Sequence, residues 1–179
     1  MKLSSSGETT NEFWRFSLSV YAAPGVADEC LDLQDRFGID VNLLLFAAYT
    51  GSQRLLLSSE ELDRCSSLVR QWRDQVIRPL RDVRRAIKAL PQQDGVQIQR
   101  QIEDIRGSIK SIELESEKVQ QDLLFHWLEN QKMPQTADPE RAIRSNIETA
   151  LRRLLSAQPS AGSPKLISAS VEWAKNGTS

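Results

Sequence analysis

At 179 residues the chain is long enough for one domain with its own core, or for a compact domain carrying a helical extension. A formal net charge of -1 and a pI of about 5.9 exclude a global pull toward nucleic acid or anionic membrane, so any such binding needs a local patch. With 8 Gly, 7 Pro and only 6% aromatic residues, the chain reads as all-α. The opening stretch MKLSSSGETTNEFWRF lacks the apolar core of a secretory signal, and no run approaches the roughly 20 apolar residues of a membrane span. The expectation is a soluble cytoplasmic protein. Cys30 and Cys65 lack the spacing of a redox or zinc pair and read as reduced core thiols.

In chain order, Phe13, Trp14, Leu18 and Tyr21 fall at helical spacing, and Pro24 ends that first helix and opens a second. Val26, Cys30, Leu33 and Phe37 form the stripe of the second helix, which Gly38 closes in the left-handed conformation. Asp40 then caps the third, VNLLLFAAYT, whose apolar residues run nearly all round, with Gly51 at its end. A helix that is apolar on every side belongs in the centre of a core.

From Ser58 or Ser59 the pattern changes to heptads: Leu62, Cys65, Val69, Trp72 and Val76, then Leu80, Val83, Ile87 and Leu90, with Pro79 expected to kink the helix. After the break LPQQDG a second seam runs through Ile98, Ile102, Ile105, Ile109, Ile112, Ser116, Val119, Leu123 and His126. Two such helices predict an antiparallel hairpin roughly 45 Å long, with Trp72 near Glu115 or Ser116 and Ile105 inside the seam. Asp138 and Pro139 start a last helix, with Ile143, Ile147, Leu151 and Leu154 as its buried stripe. The sequence thus predicts one helical domain over 11–157: a compact three-helix block (11–51), a hairpin (58–130) and a final helix (138–157). A flexible tail is expected over 158–179, with PSAGSP as linker and LISASVEWA loosely docked at most.

The order Phe13, Trp14, Phe16 and Tyr21, then Pro24-Gly25-Val26, Cys30-Leu31, Leu33-Gln34-Asp35, Gly38 and Asp40 to Leu45 resembles an all-helical bacterial family known only as a domain of unknown function. Across the hairpin the likeness is one of length and helical character. The resemblance implies a cytoplasmic bacterial protein of unassigned activity, and it brings no catalytic residues.

Conventional catalytic and cofactor signatures are missing from the sequence. His126 is the single histidine, placed on the seam where packing explains it, and no phosphate-binding loop, HExxH or paired cysteine ligands occur. No catalytic residue, metal or cofactor is assigned. Two clusters remain. A small-ligand pocket at Trp14, Tyr21, Asp35 and Asn42 is weighed against helix-boundary roles, in which Asn42 ties its turn to the first helix. The basic residues Arg78, Arg81, Arg84, Arg85 and Lys88 suit RNA, a ribosome or an acidic partner. Against that, the hairpin brings Arg84 and Arg85 near Glu103 and Asp104, and Arg70 and Arg73 near Glu113, Glu115 and Glu117, where they form internal ion pairs. The expected function is a non-enzymatic helical protein-protein interaction or adaptor role, with room for a homo-oligomer. The alternatives are RNA- or ribosome-associated binding through the arginine face, and a small-ligand protein or enzyme at the amino-terminal block.

Overall fold

The computed structural model describes residues 11–92, 95–155 and 162–176. The class is all-α. The helices are α1 (Glu12–Tyr21), α2 (Val26–Phe37), α3 (Val41–Ser52), α4 (Ser59–Trp72), α5 (Arg78–Ala89), α6 (Val96–Glu129), α7 (Pro139–Leu154) and α8 (Pro164–Asn176). A single antiparallel bridge between Leu55 and Gln135 is the β pairing among the described residues.

Local chemistry explains most of the boundaries. Asn11 accepts from the Trp14 amide at 2.7 Å and caps α1. Gly38, at φ 68°, closes α2 in a conformation that costs a side-chain-bearing residue energy, and Asp40 caps α3 two residues later. Ser58 and Glu61 form a reciprocal capping box at the start of α4. Asp138 accepts from the Glu140 and Arg141 amides ahead of Pro139.

Pro79 stands in the first turn of α5. The chain passes from α4 to α5 through a π-helical segment, Arg73–Ile77, without leaving the helical state. A proline removes one amide and crowds the carbonyl four residues back, and a widened turn is one way of relieving both effects. Gly107 is likewise carried inside the uninterrupted α6.

The core is centred on α3, of which Leu43 to Gly51 are all buried, and it draws on more than an amino-terminal block. Phe13, Phe16 and Val20 of α1, Cys30 and Leu33 of α2, Leu62, Cys65 and Val69 of α4, Leu124 of α6 and Ile143, Ile147 and Ala150 of α7 all pack around it. The α7 backbone comes closest. A Cβ at Gly51 would stand 2.5 Å from the Ile143 Cα, so Gly51 serves a helix crossing, and α3 runs one residue past it.

The carboxyl-terminal segment corrects the expectation of a loose tail. Residues Pro164–Asn176 form α8, with Leu166 and Ser170 fully buried and Trp173 set edge-on to Phe16 at a centroid distance of 5.0 Å. Its start is capped from another element: the Glu29 carboxylate on α2 accepts from the Lys165 and Leu166 amides at 3.1 and 3.0 Å. The first part of the expected linker, 159–161, lies outside the described residues.

The hairpin also differs in detail. The α4–α5 rod packs along α6, and Trp72 Nε1 donates to the Ser116 carbonyl at 2.9 Å, as its heptad position predicts. Only one row of the α6 seam faces inward, however. Glu113, Ser116, Gln120 and Leu124 are buried, whereas Ile105 and Ile112 are 55% and 53% exposed. Ile105 therefore lies on the rim, because α5 covers a face of α6 centred about a quarter-turn away.

Candidate functional site

Two regions bear on function: a polar cleft where the hairpin meets the α2–α3 turn, and the apolar flank of the hairpin. The cleft has a volume of about 180 Å³ and is lined by Gln34, Asp40, Asn42, Arg73, Arg81 and Gln120 among others. Its organising residue is Asp40. One carboxylate oxygen accepts from the Asn42 and Leu43 amides at 3.0 and 3.4 Å, and the other accepts from Gln120 Nε2 at 2.8 Å and Arg73 Nη1 at 3.5 Å. A helix cap thus doubles as an anchor for α6.

Asn42 completes the junction. Its Nδ2 donates to Gln120 Oε1 at 3.3 Å, and its Oδ1 accepts from Gln121 Nε2 at 2.8 Å. The turn is therefore tied to α6, not to the first helix, because α6 passes the start of α3 at Gln120 and Gln121. Gln120 and Gln121 are nearly fully buried and supply the partners that an interior amide requires.

Above this junction the basic residues meet carboxylates. Arg81 Nε donates to Glu113 at 2.9 Å and its Nη2 to Glu117 at 2.6 Å, while Arg84 donates to Glu113 as well. Arg85 pairs with Asp35, and Arg78 with Asp74. These partners replace the expected Glu103 and Asp104. Burial pushes the Glu113 carboxyl up, but the guanidinium groups of Arg84 and Arg81 outweigh it and hold Glu113 below the ordinary range. For Glu117 burial prevails over Arg81, and its pKa is raised, with the Glu113 charge adding to the effect.

The four residues considered as one ligand pocket are dispersed. Asn42 lines the cleft; Asp35 is an exposed residue paired with Arg85. Tyr21 is half-buried, with its phenol pushed above the usual range by burial, and Trp14 sits on α1 outside the cleft lining. Lys88 is exposed at the end of α5. His126 is exposed rather than packed, at 3.7 Å from Glu129. Cys30 and Cys65 are both free and buried, and burial pushes each thiol up to about 12. Among the described residues no group of His, Cys, Asp and Glu is arranged to hold a metal, and no helix is long and apolar enough to cross a membrane.

Sequence reasoning overlooked Gln120 and Gln121, and it set Glu113 and Glu117 beside Arg70 and Arg73, whereas Arg81 and Arg84 are their partners. The available signal was a second periodicity on α6: Glu113, Glu117, Gln120 and Leu124 recur at four, three and four residues, a polar row that merges into the core.

The second region is the flank of the hairpin. Ile98, Ile105, Ile112 and Val119 recur every seven residues along α6 and are exposed, as are Val83 and Leu90 along α5. In an antiparallel pair, flanks displaced in the same rotational sense from the contact line lie on the same side, so the two rows adjoin. The cleft occupies the opposite side, where Arg81 and Arg85 turn toward α2 and α3.

A family model described as protein of unknown function (DUF2390) matches residues 12–124, which takes in the α2–α3 turn, the cleft and the hairpin up to Leu124. No curated protein and no solved structure matches the chain. The match extends beyond the likeness carried by Phe13 to Leu45 along the hairpin as far as Leu124 and stops short of α7 and α8. Because it covers more than half of the sequence, the chain belongs to the DUF2390 family of proteins of unknown function.

Proposed function

We propose that the protein is a non-enzymatic helical interaction protein whose docking surface is the apolar flank of the α5–α6 hairpin. The observation that supports this reading is the exposed row Ile98, Ile105, Ile112 and Val119, which keeps a seven-residue step while facing away from the core. Side chains at that step line up along a helix and offer knobs to a partner helix. A contiguous exposed apolar strip on a folded domain marks a contact surface more often than it marks neutral surface.

The arginine alternative draws less support, since Arg78, Arg81, Arg84 and Arg85 each engage a carboxylate that phosphate would have to displace. A small-ligand function at the cleft draws less as well, because Asp40, Asn42, Arg73 and Gln120 are already joined to one another. Site-specific photo-crosslinking tests the docking reading. A photoreactive residue at position 105 or 112, introduced in the native host, is expected to capture protein, whereas one at Leu31 on α2 is not. Absence of any protein adduct at 105 and 112 contradicts it.

A further inference from the structure

We infer that the occupant of this flank is a second copy of the chain, so that two hairpins close into a four-helix bundle; the inference rests on the docking reading above. Three features of the flank carry it.

The first is charge. Helical spacing sets Pro79 and Ala86 of α5 and Gln101, Ser108, Glu115 and Asp122 of α6 beside the apolar rows, so that charge in this column of α6 is confined to one end, while Arg78, Arg81, Arg85 and Lys88 fall toward the cleft side. Depletion of charge at the centre of a surface is the compositional mark of an interface core. The acidic end has no attraction for an acidic peptide or a nucleic acid, and an antiparallel copy sets it against the uncharged end of the other chain, so that like charges do not meet.

The second is self-complementarity. A two-fold axis brings a patch against its own copy, so the patch has to match itself end to end. With rows stepped by seven residues, an antiparallel mate sets Ile98 across from Val119 and Ile105 across from Ile112. Both arrangements place a branched aliphatic side chain against another at every level. Ser108 near the midpoint is small enough to let the two helices approach.

The third is area. The span from Ile98 to Val119 is roughly 31 Å at 1.5 Å per residue, and two helices side by side are about 20 Å across. Such a face covers on the order of 600 Å² per copy, or about 1,200 Å² in a pair, which reaches the range of specific interfaces.

Sedimentation equilibrium of the full-length protein tests the inference. The wild-type chain, of 20.2 kDa, is expected to approach twice that mass as its concentration rises through the micromolar range. The double variant Ile105→Asp, Ile112→Asp should remain at the monomer mass with unchanged far-ultraviolet circular dichroism, because both side chains are more than half exposed. Leu114→Asp, on the other flank of α6, should dimerise as the wild type does. A wild-type chain that stays monomeric at 200 µM, or a folded double variant that still dimerises, overturns the inference. The wild-type mass needs no variant to fold. A monomeric wild type that is crosslinked to a different protein at position 105 overturns the second copy while leaving the docking reading intact; a monomer without any adduct overturns both.

Discussion

Gln121 on α6 donates its side-chain amide to Asn42 Oδ1 at 2.8 Å, linking the longest of the described helices to the first turn of the central one. With Gln120 bonded to both Asn42 and Asp40, the hairpin is locked to the core by four polar side chains that have little access to water. Such a junction fixes orientation, since apolar packing alone tolerates sliding along a helix.

Asn42→Ala should accordingly lower the unfolding free energy by about 1–3 kcal/mol, because it strands the buried amides of Gln120 and Gln121. Asp40→Ala should cost about 1–2 kcal/mol, through loss of the α3 cap and release of Arg73. Denaturant unfolding of the two variants measures both. Wild-type stability in each would contradict a structural role for the turn.

Two glycines inside helices should respond in opposite directions. Gly51→Ala places a methyl group 2.5 Å from the Ile143 backbone, which cannot yield as a flexible side chain does, so α3 and α7 must separate at a cost of about 1–3 kcal/mol or more. Gly107→Ala meets open space on α6 and should stabilise by roughly 0.5–1 kcal/mol, since it removes chain entropy from the unfolded state. A rise in melting temperature for the first, or a fall for the second, would overturn these assignments.

These glycines also show how far the sequence could be read. Gly38, Asp40, Ser58 with Glu61, and Asp138 with Pro139 act on amides within a few residues of themselves, and each is legible where it stands. Gly51 looked like another terminator because its reason lies on α7. For the same cause α8 passed as a tail: its cap is Glu29, more than a hundred residues earlier, and its anchor is a ring contact with Phe16. Asn146 illustrates the limit most fully. It is entirely buried, accepting from the Leu57 amide at 2.9 Å and donating to Thr50 and the Leu55 carbonyl, although its own neighbours in sequence give no sign of it. The heptads of α6 disclosed an amphipathic helix without showing which of its two apolar rows α5 would cover.

Acid stability should reflect the contrast between Glu113 and Glu117. The Glu113 pKa is lowered in the folded protein, so its contribution is present above the ordinary glutamate value of about 4.5 and is lost as pH falls through the lower folded value. The Glu117 pKa is raised, so its contribution has the opposite sign, favouring the fold at low pH and declining as pH rises through the folded value. Melting temperature against pH should therefore show a shallower acid limb in Glu113→Gln, together with a lower plateau at neutral pH. In Glu117→Gln the decline just above pH 4.5 should be reduced. Parallel curves for the wild type and both variants would contradict the assigned directions.

The most direct measurement of the central claim, that the α6 flank is open in the single chain and covered by association, is thiol labelling of Ile105→Cys as a function of protein concentration. Cys30 and Cys65 are buried, with their thiols pushed up to about 12, so they contribute little background near neutral pH. At high dilution the new thiol should react at the rate of a free cysteine, and the rate should fall several-fold as concentration rises into the range where the wild-type mass doubles. Slow labelling at every dilution would place residue 105 inside the fold, and equally fast labelling at every concentration would leave the flank uncovered; either result contradicts the account.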